Sequence, residues 1–145
     1  KNNGEATETI KTEEKSFEIL NKWRDLSLPV FHIIHSSKNP ESKLHRSHPG
    51  FEIIDQLKPI NGEPVIIKEV NSAFIGTDLK ERLDTLGINS LVIVGLTTNH
   101  CISTTTRMAG NLGFDTFLIS DATATFDRKG INGEHFDSEI IHQIL

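Results

Sequence analysis

Short apolar runs alternate with amphipathic segments along this chain, which is the pattern of an α/β protein. Four of the runs have the length of a strand and are bounded by turn residues or polar segments. They lie at residues 30–35, 65–70, 91–95 and 116–119. The run at 91–95 is apolar throughout, which is typical of a strand buried on both faces of a parallel sheet.

Segments with apolar residues at helical spacing separate and follow these runs. The predicted helices begin after Thr12, span residues 78–86, follow Cys101 as far as Asn111, and span residues 136–145. The polar residues before Thr12 have the composition of a loop or a frayed end. Gly87 fits the position just after the second predicted helix, where glycine is common. The alternation predicts a three-layer α/β/α fold with a Rossmann-like, mostly parallel sheet, in a single domain of residues 1–145.

Composition narrows the class of partner. The chain has 145 residues, of which 36% are hydrophobic and 24% are charged, enough for one α/β domain with a core. The formal charge of −5, with no basic stripe, argues against nucleic acid as a partner. No apolar run approaches the roughly 20 residues of a membrane helix, so we expect no membrane partner. The single cysteine excludes an internal disulfide, and we expect a cytoplasmic protein.

Cys101 is the only cysteine of the chain, and it follows the strand at residues 91–95 after a short turn. Open α/β sheets bind their ligands at the carboxyl ends of parallel strands. We expect Cys101 in the first turn of a helix, where unpaired N–H groups and the helix dipole favour a thiolate and hold an oxyanion. The alternative is a small buried hydrophobe, as free cysteines usually are.

Two motifs resemble the signature of the isochorismatase-like cysteine hydrolases, a family that includes nicotinamidases and N-carbamoyl-amide hydrolases. The first is GLTTNHCI at residues 95–102, followed by TTRMA, LGF and SDA. The second is KEVNSAF at residues 68–74, with TDL behind it. The resemblance runs from about residue 22 to the end, and the two motifs in this order are more specific than either alone.

The resemblance implies a hydrolase that acts on a small-molecule amide or a related acyl C–N bond, without a cofactor. Cys101 would be the nucleophile that forms an acyl-enzyme, and the Lys68 ammonium would support its thiolate. The backbone N–H groups of Thr97 and Cys101 would hold the oxyanion, and the Leu96–Thr97 peptide bond would be cis. The alternative for Lys68 is an edge-strand lysine that blocks strand pairing.

Phe74, His100 and His35 are the candidate residues of the substrate pocket. His35 ends the strand at residues 30–35, and His45 and His48 lie in the polar loop that follows. Nicotinamidases of the family carry an Asp-x-His…His metal site just after this strand, whereas this sequence has HSS there. We therefore expect no metal and solvated loop histidines, with a metal near His35, His45 or His48 as the alternative.

The triad of this family also contains an aspartate at the end of a first strand, which occupies the middle of the sheet order 3-2-1-4-5-6. No such strand precedes residue 12 in this sequence. Buried backbone without hydrogen-bond partners is strongly unfavourable, so we expect that the parent chain has this strand or that another segment fills its place. We interpret the sequence as truncated at both ends, and a chain truly without the aspartate is expected to be inactive.

Two other functions stay open at this point. One is hydrolysis of the vinyl ether of isochorismate, although some family members with that chemistry lack the cysteine. The other is a non-catalytic binding or assembly module of the same fold, which the missing aspartate favours. The resemblance further suggests a homo-oligomer, a dimer or a tetramer, acting on a small-molecule substrate.

Overall fold

The structure, a computed structural model, describes the backbone of residues 3–145 and the side chains of residues 8–145. Within this part, the chain forms two compact units. The cysteine unit consists of residues 3–16 and Ser90–Leu145, and the lysine unit consists of Phe17–Asn89. Each name refers to the candidate catalytic side chain that the unit contains. The single domain over residues 1–145 stays a prediction.

The first helix, α1, spans Asn3–Asp25, so the predicted loop before Thr12 is wrong for its described residues. Residues 1–2, which that prediction also covered, lie outside the described residues. Thr12 and Ser16 are buried, and Ser16 Oγ donates a hydrogen bond to the carbonyl of Ala122 at 3.4 Å. Tertiary packing of one face thus stabilises a helix in a stretch whose composition does not require one.

The lysine unit contains a pair of parallel strands, β1 at His32–His35 and β2 at Val65–Lys68. Both are shorter than the predicted runs, and their register places His35 opposite Lys68. Residues of β2 alternate between exposed and buried, and Lys68 is on the buried side. The connection between the strands contains short 3₁₀ helices at Pro49–Phe51 and Asp55–Leu57.

The second helix, α2, spans Leu79–Thr85 with Leu86 as its C-cap, and the glycine that its sequence pattern indicates follows directly after the cap. Gly87 has a φ of +66°, a left-handed conformation that costs glycine little. Its N–H donates to the carbonyl of Asp84 at 2.9 Å, and the N–H of Ile88 donates to the carbonyl of Leu83 at 3.0 Å. These two bonds satisfy carbonyls at the helix end in a Schellman motif.

The loop before β2 is fastened by a carboxylate, Glu63, whose side chain is 9% exposed. Its oxygens accept hydrogen bonds from the Arg24 guanidinium at 2.7 and 2.8 Å and from the Ile60 N–H at 3.1 Å. His32 Nε2 lies 2.7 Å from the same carboxylate. The Arg24 bond outweighs the opposing effect of burial and, with the His32 and Ile60 bonds, lowers the pKa of Glu63 to about 2.

The cysteine unit is built on a second parallel pair. Its elements are β3 at Ser90–Leu96, a π-helical turn at Thr98–Ile102, α3 at Ser103–Asn111, and β4 at Asp115–Ala124. Strand β4 is longer than the predicted run at residues 116–119. Its pairing with β3 shifts register between Ile93 and Gly95, so the last residues of β4 pair again beside the end of β3.

The end of the chain adds an antiparallel hairpin and a short helix. They are β5 at Arg128–Lys129, β6 at His135–Phe136, and α4 at Ser138–Ile144. A helix was predicted over residues 136–145, but it begins only at Ser138, because Phe136 belongs to β6. The hairpin was not predicted, because strands this short show no alternation of apolar and polar residues.

The described strands confirm the α/β class. The predicted order counts the family's first strand as strand 1, so β1, β2, β3 and β4 of the structure are its strands 2, 3, 4 and 5. The structure pairs β1 with β2 and β3 with β4, which are neighbours in that order, and both pairs are parallel. The complete order 3-2-1-4-5-6 stays a prediction. No helix in the described part of the chain is long and apolar enough to cross a membrane.

Candidate active site

Cys101 lies inside the π-helical turn at Thr98–Ile102 and is half-buried. The turn is closed by a hydrogen bond from the N–H of Ile102 to the carbonyl of Thr97 at 3.2 Å, five residues earlier. Cys101 thus lies in the first turn of the helical segment, as expected, but that turn is π-helical, and the α-helix α3 begins only at Ser103. A π-helical turn is rare and is frequent at functional sites.

The strand-to-turn junction has an unusual backbone. The peptide bond between Leu96 and Thr97 is cis, the same bond for which the resemblance implies a cis form. Gly95 just before it has a φ of +125°, which side chains with a Cβ rarely adopt. Thr97 is extended, with φ −107° and ψ 147°, and begins the turn. This junction fixes the direction in which the cysteine turn leaves the sheet.

Polar contacts from later parts of the chain hold the cysteine turn. The buried hydroxyl of Thr98 lies 3.0 Å from His142 Nδ1, and the Asn99 amide oxygen accepts a hydrogen bond from Thr125 Oγ1 at 2.6 Å. Arg128 reaches the same oxygen at 3.4 Å. These partners were not predicted from the sequence. Thr125 lies three residues after the SDA motif, but the position of Arg128 and His142 in the sequence gives no such signal.

Lys68 is 4% exposed at the end of β2. Its Nζ donates a hydrogen bond to the carbonyl of Val70 at 2.9 Å and lies 3.1 Å from His35 Nδ1. An exposed lysine that only blocks strand pairing is therefore not what the structure shows. Lysine is almost never fully buried unless it is paired, and here the buried ammonium is hydrogen-bonded at the carboxyl end of β2.

His35 is the principal neighbour of this lysine on the opposite strand. Burial, and next the positive charge of Lys68, hold the pKa of the His35 imidazole below its ordinary value, against a smaller opposing effect of the Val70 carbonyl. The ring is therefore neutral at neutral pH. The motifs predict His35 as a substrate-pocket residue, with a nearby metal as the alternative. They do not predict its contact with the lysine, because the register of two strands is not visible in either motif.

Phe74 lies in the loop after β2 and is half-buried. Its N–H donates to Ser72 Oγ at 3.2 Å, and Thr77 Oγ1 donates to the carbonyl of the buried Ala73 at 2.5 Å. Two cavities of about 540 and 520 Å³ lie on the lysine unit, but they are lined by other residues, mainly of β2, α2 and the chain before β1. The pocket role of Phe74, His100 and His35 stays a prediction.

The structure distributes the predicted residues over the two units. Leu96, Thr97, His100 and Cys101 follow one another in the cysteine unit, with the His100 side chain exposed. His35 and Lys68 are in contact in the lysine unit, and Phe74 follows them in the loop.

The loop histidines have local partners. His45 Nδ1 lies 2.8 Å from Ser47 Oγ, and His48 Nδ1 accepts the N–H of Gly50 at 3.0 Å. In the part of the chain that the structure describes, metal-type ligands converge elsewhere, where atoms of Asp127, His135 and Asp137 lie within 4.8 Å of one another. His135 Nε2 is 3.0 Å from each carboxylate, and hydrogen bonding to both accounts for this convergence.

Comparisons of sequence agree with the motifs. The model of the isochorismatase domain matches residues 2–134. The isochorismatase family protein YrdC of Bacillus subtilis (strain 168) is 50% identical over 135 residues, which cover 93% of this chain and 72% of that protein. Nicotinamidase 3 of Arabidopsis thaliana is 34% identical over 119 residues, which cover 73% of this chain and 60% of that protein.

Solved structures show the same fold. An isochorismatase from Pseudomonas putida KT2440 has a TM-score of 0.89 and 29% identity, and the match covers 94% of this chain and 70% of that one. N-carbamoylsarcosine amidase from Thermoplasma acidophilum has a TM-score of 0.76 and 26% identity, with 87% and 76% of the two chains covered.

Proposed function

The chain belongs to the isochorismatase family of hydrolases, and we propose that it hydrolyses a small-molecule amide or a related acyl C–N bond with Cys101 as the nucleophile. The observation that carries this proposal is the position of the half-buried Cys101 in a π-helical turn at the carboxyl end of β3. Nicotinamidase 3 and N-carbamoylsarcosine amidase, both similar to this chain, bear the names of amide-hydrolysing enzymes.

The proposed reaction has two halves. The Cys101 thiolate attacks the acyl carbon, and the backbone N–H groups of Thr97 and Cys101 hold the oxygen that becomes negative. The C–N bond breaks, the nitrogen leaves with the proton that the Cys101 thiol gave up when the thiolate formed, and a thioester remains on Cys101. Water then attacks the thioester, which releases the acid and restores the thiol. The family's triad gives both proton transfers to an aspartate, and no residue of this sequence matches its motif.

Lys68 is proposed as the cation that favours the thiolate and the negative charge of the intermediate. Its support is the motif that contains it, its burial, and its contacts with His35 at the end of β1 and with the Val70 carbonyl. A cation held in a poorly solvated place interacts with developing negative charge more strongly than one in water. The lysine therefore contributes to catalysis by position and charge rather than by proton transfer.

The test measures the release of ammonia or amine from a panel of small amides, including nicotinamide and N-carbamoyl amino acids. Cys101→Ala is expected to reduce kcat/KM at least ~1,000-fold, because the covalent route is then absent. Thr104→Ala, an exposed position on the following helix α3, is the matched control and is expected to retain activity. Full activity in Cys101→Ala would contradict the nucleophile assignment.

Vinyl-ether hydrolysis is the second candidate, because one structural neighbour is named an isochorismatase. This reaction needs no thiol, so isochorismate turnover that survives Cys101→Ala would favour it. A non-catalytic module would turn over none of the substrates, and Cys101 would react with iodoacetamide no faster than a free thiol.

The proposal also covers the oligomeric state of the protein and its location in the cell. A dimer or tetramer is expected by size-exclusion chromatography with light scattering, and a monomer at micromolar concentration would contradict it. The cytoplasmic location stays a prediction, which fractionation of the source cells would test.

A further inference from the structure

In the contact between His35 and Lys68, the chemistry of the two side chains decides which one donates the hydrogen bond and which one accepts it. An ammonium group only donates hydrogen bonds, so His35 Nδ1, 3.1 Å from Lys68 Nζ, must be the acceptor. The imidazole proton is then on Nε2, and the ring is neutral. The strand register enforces this pairing, because His35 and Lys68 are opposite each other at the ends of β1 and β2.

A second acceptor fixes the direction of the ammonium. The carbonyl of Val70, just beyond β2, receives another hydrogen bond from Lys68 at 2.9 Å. The side chain of Lys68 has four rotatable bonds, and a single acceptor leaves such a chain several conformations. With one acceptor at the end of β1 and another in the chain just after β2, two contacts restrain the position of Lys68 Nζ.

We propose that His35 is a positioning residue that holds the Lys68 ammonium in its working place without neutralising its charge. A carboxylate at this position would hold the ammonium equally well, but it would cancel the positive charge that the chemistry uses. A neutral imidazole accepts the hydrogen bond and leaves that charge intact. The catalytic part of this inference rests on the proposed function, in which Lys68 supports the thiolate of Cys101.

The contact itself is tested by NMR of the imidazole nitrogens, with assignment by comparison with His35→Asn. We expect the Nε2–H tautomer and a pKa below the ordinary value of histidine, for which burial and the Lys68 charge are the causes. In Lys68→Met the pKa of His35 is expected to rise, because one of those causes is removed. An ordinary pKa that does not change in Lys68→Met would overturn the contact.

The positioning role is tested by two substitutions of His35. Asparagine can place an amide oxygen near the position of Nδ1, so His35→Asn is expected to keep most of kcat. His35→Ala is expected to lower kcat about 10- to 100-fold with little change in KM, because displaced catalytic groups cost this much. The rate of Cys101 alkylation by iodoacetamide is expected to fall in the same variant. The exposed His48, replaced by alanine, is the control.

The outcomes separate this inference from the proposed function. If Cys101→Ala keeps full activity, the proposed function fails, and the NMR experiment still decides whether His35 accepts from Lys68. If Cys101→Ala is inactive while His35→Ala has the kcat of the unaltered protein, the proposed function stands and the positioning role is overturned. Equal loss of kcat in His35→Asn and His35→Ala, with unchanged melting temperatures, would also overturn it.

Discussion

The hydroxyl of Thr98 lies 3.0 Å from Nδ1 of His142, although 44 positions separate the two residues in the sequence. Thr98 is 3% exposed and begins the turn that carries Cys101, whereas His142 lies in α4 near the end of the chain. The last helix therefore supports the turn of the candidate nucleophile. A contact of this kind restricts the turn without touching the reacting atoms.

Removal of this support is expected to loosen the cysteine turn. His142→Ala leaves the buried Thr98 hydroxyl without this partner, and we expect the free energy of unfolding to fall by roughly 1–3 kcal/mol. Gln143→Ala, an exposed position on the same helix, is the control and is expected to change it by less than about 0.5 kcal/mol. Urea unfolding measures both, and equal stability of the two variants would contradict the supporting role.

Gly95 and Gly110 form a matched pair for the backbone of the cysteine unit. Gly95 has a φ of +125°, so Gly95→Ala is expected to lower the free energy of unfolding by roughly 1–3 kcal/mol. In Gly110, within α3, an added Cβ meets no atom within 4 Å, and Gly110→Ala is expected to stabilise by roughly 0.5–1 kcal/mol. Denaturant unfolding gives both values. A harmless Gly95→Ala would show that the junction does not need a glycine.

Glu63 makes the free energy of unfolding depend on pH in the acid range. Its pKa is lowered from 4.5 to about 2 in the folded protein, so the stabilisation is present above pH 4.5 and is lost as the pH falls toward 2. At about 1.4 kcal/mol for each unit of pKa shift, the lowered pKa adds roughly 3 kcal/mol to the free energy of unfolding. Urea unfolding between pH 6 and pH 2 measures it. In Glu63→Gln this part of the pH dependence is expected to disappear, and a curve parallel to that of the unaltered protein would contradict the assignment.

Lys68 is expected to matter for activity more than for stability. Lys68→Met keeps most of the side-chain volume but removes the charge, and we expect kcat/KM to fall at least ~100-fold, as for the loss of one electrostatic contact in an active site. The control is Lys80→Met, in which the lost ion pair with Asp84 is solvent-exposed. Activity and melting temperature are measured together. Full activity in Lys68→Met would remove the lysine from the mechanism.

Much of the site could be predicted because its signals are local. The apolar run before Gly95 predicts the strand, and the short turn after it places Cys101 at the carboxyl end of that strand whatever the rest of the chain does. Gly87 marks a helix end because only a residue without Cβ adopts its φ of +66° easily. Such features depend on a few consecutive residues, and the sequence shows these directly.

The start of α1 and the width of the cysteine turn could not be predicted in this way. The stretch before Thr12 is polar, but Thr12 and Ser16 are buried, and Ser16 is hydrogen-bonded to the carbonyl of Ala122, which lies far away in the sequence. The π-helical turn differs from an α-helical one by a single residue per hydrogen bond, which no apolar pattern records.

The sequence by itself therefore determined the α/β class, the placement of Cys101 after its strand, and the motif that contains Lys68. Only the tertiary structure decided that His35 is the partner of Lys68 and that His142 supports the turn of Cys101. The physical reason is distance along the chain. Periodicity and turn chemistry act over a few residues, whereas a hydrogen bond between remote side chains exists only once strand register and helix packing have brought them together.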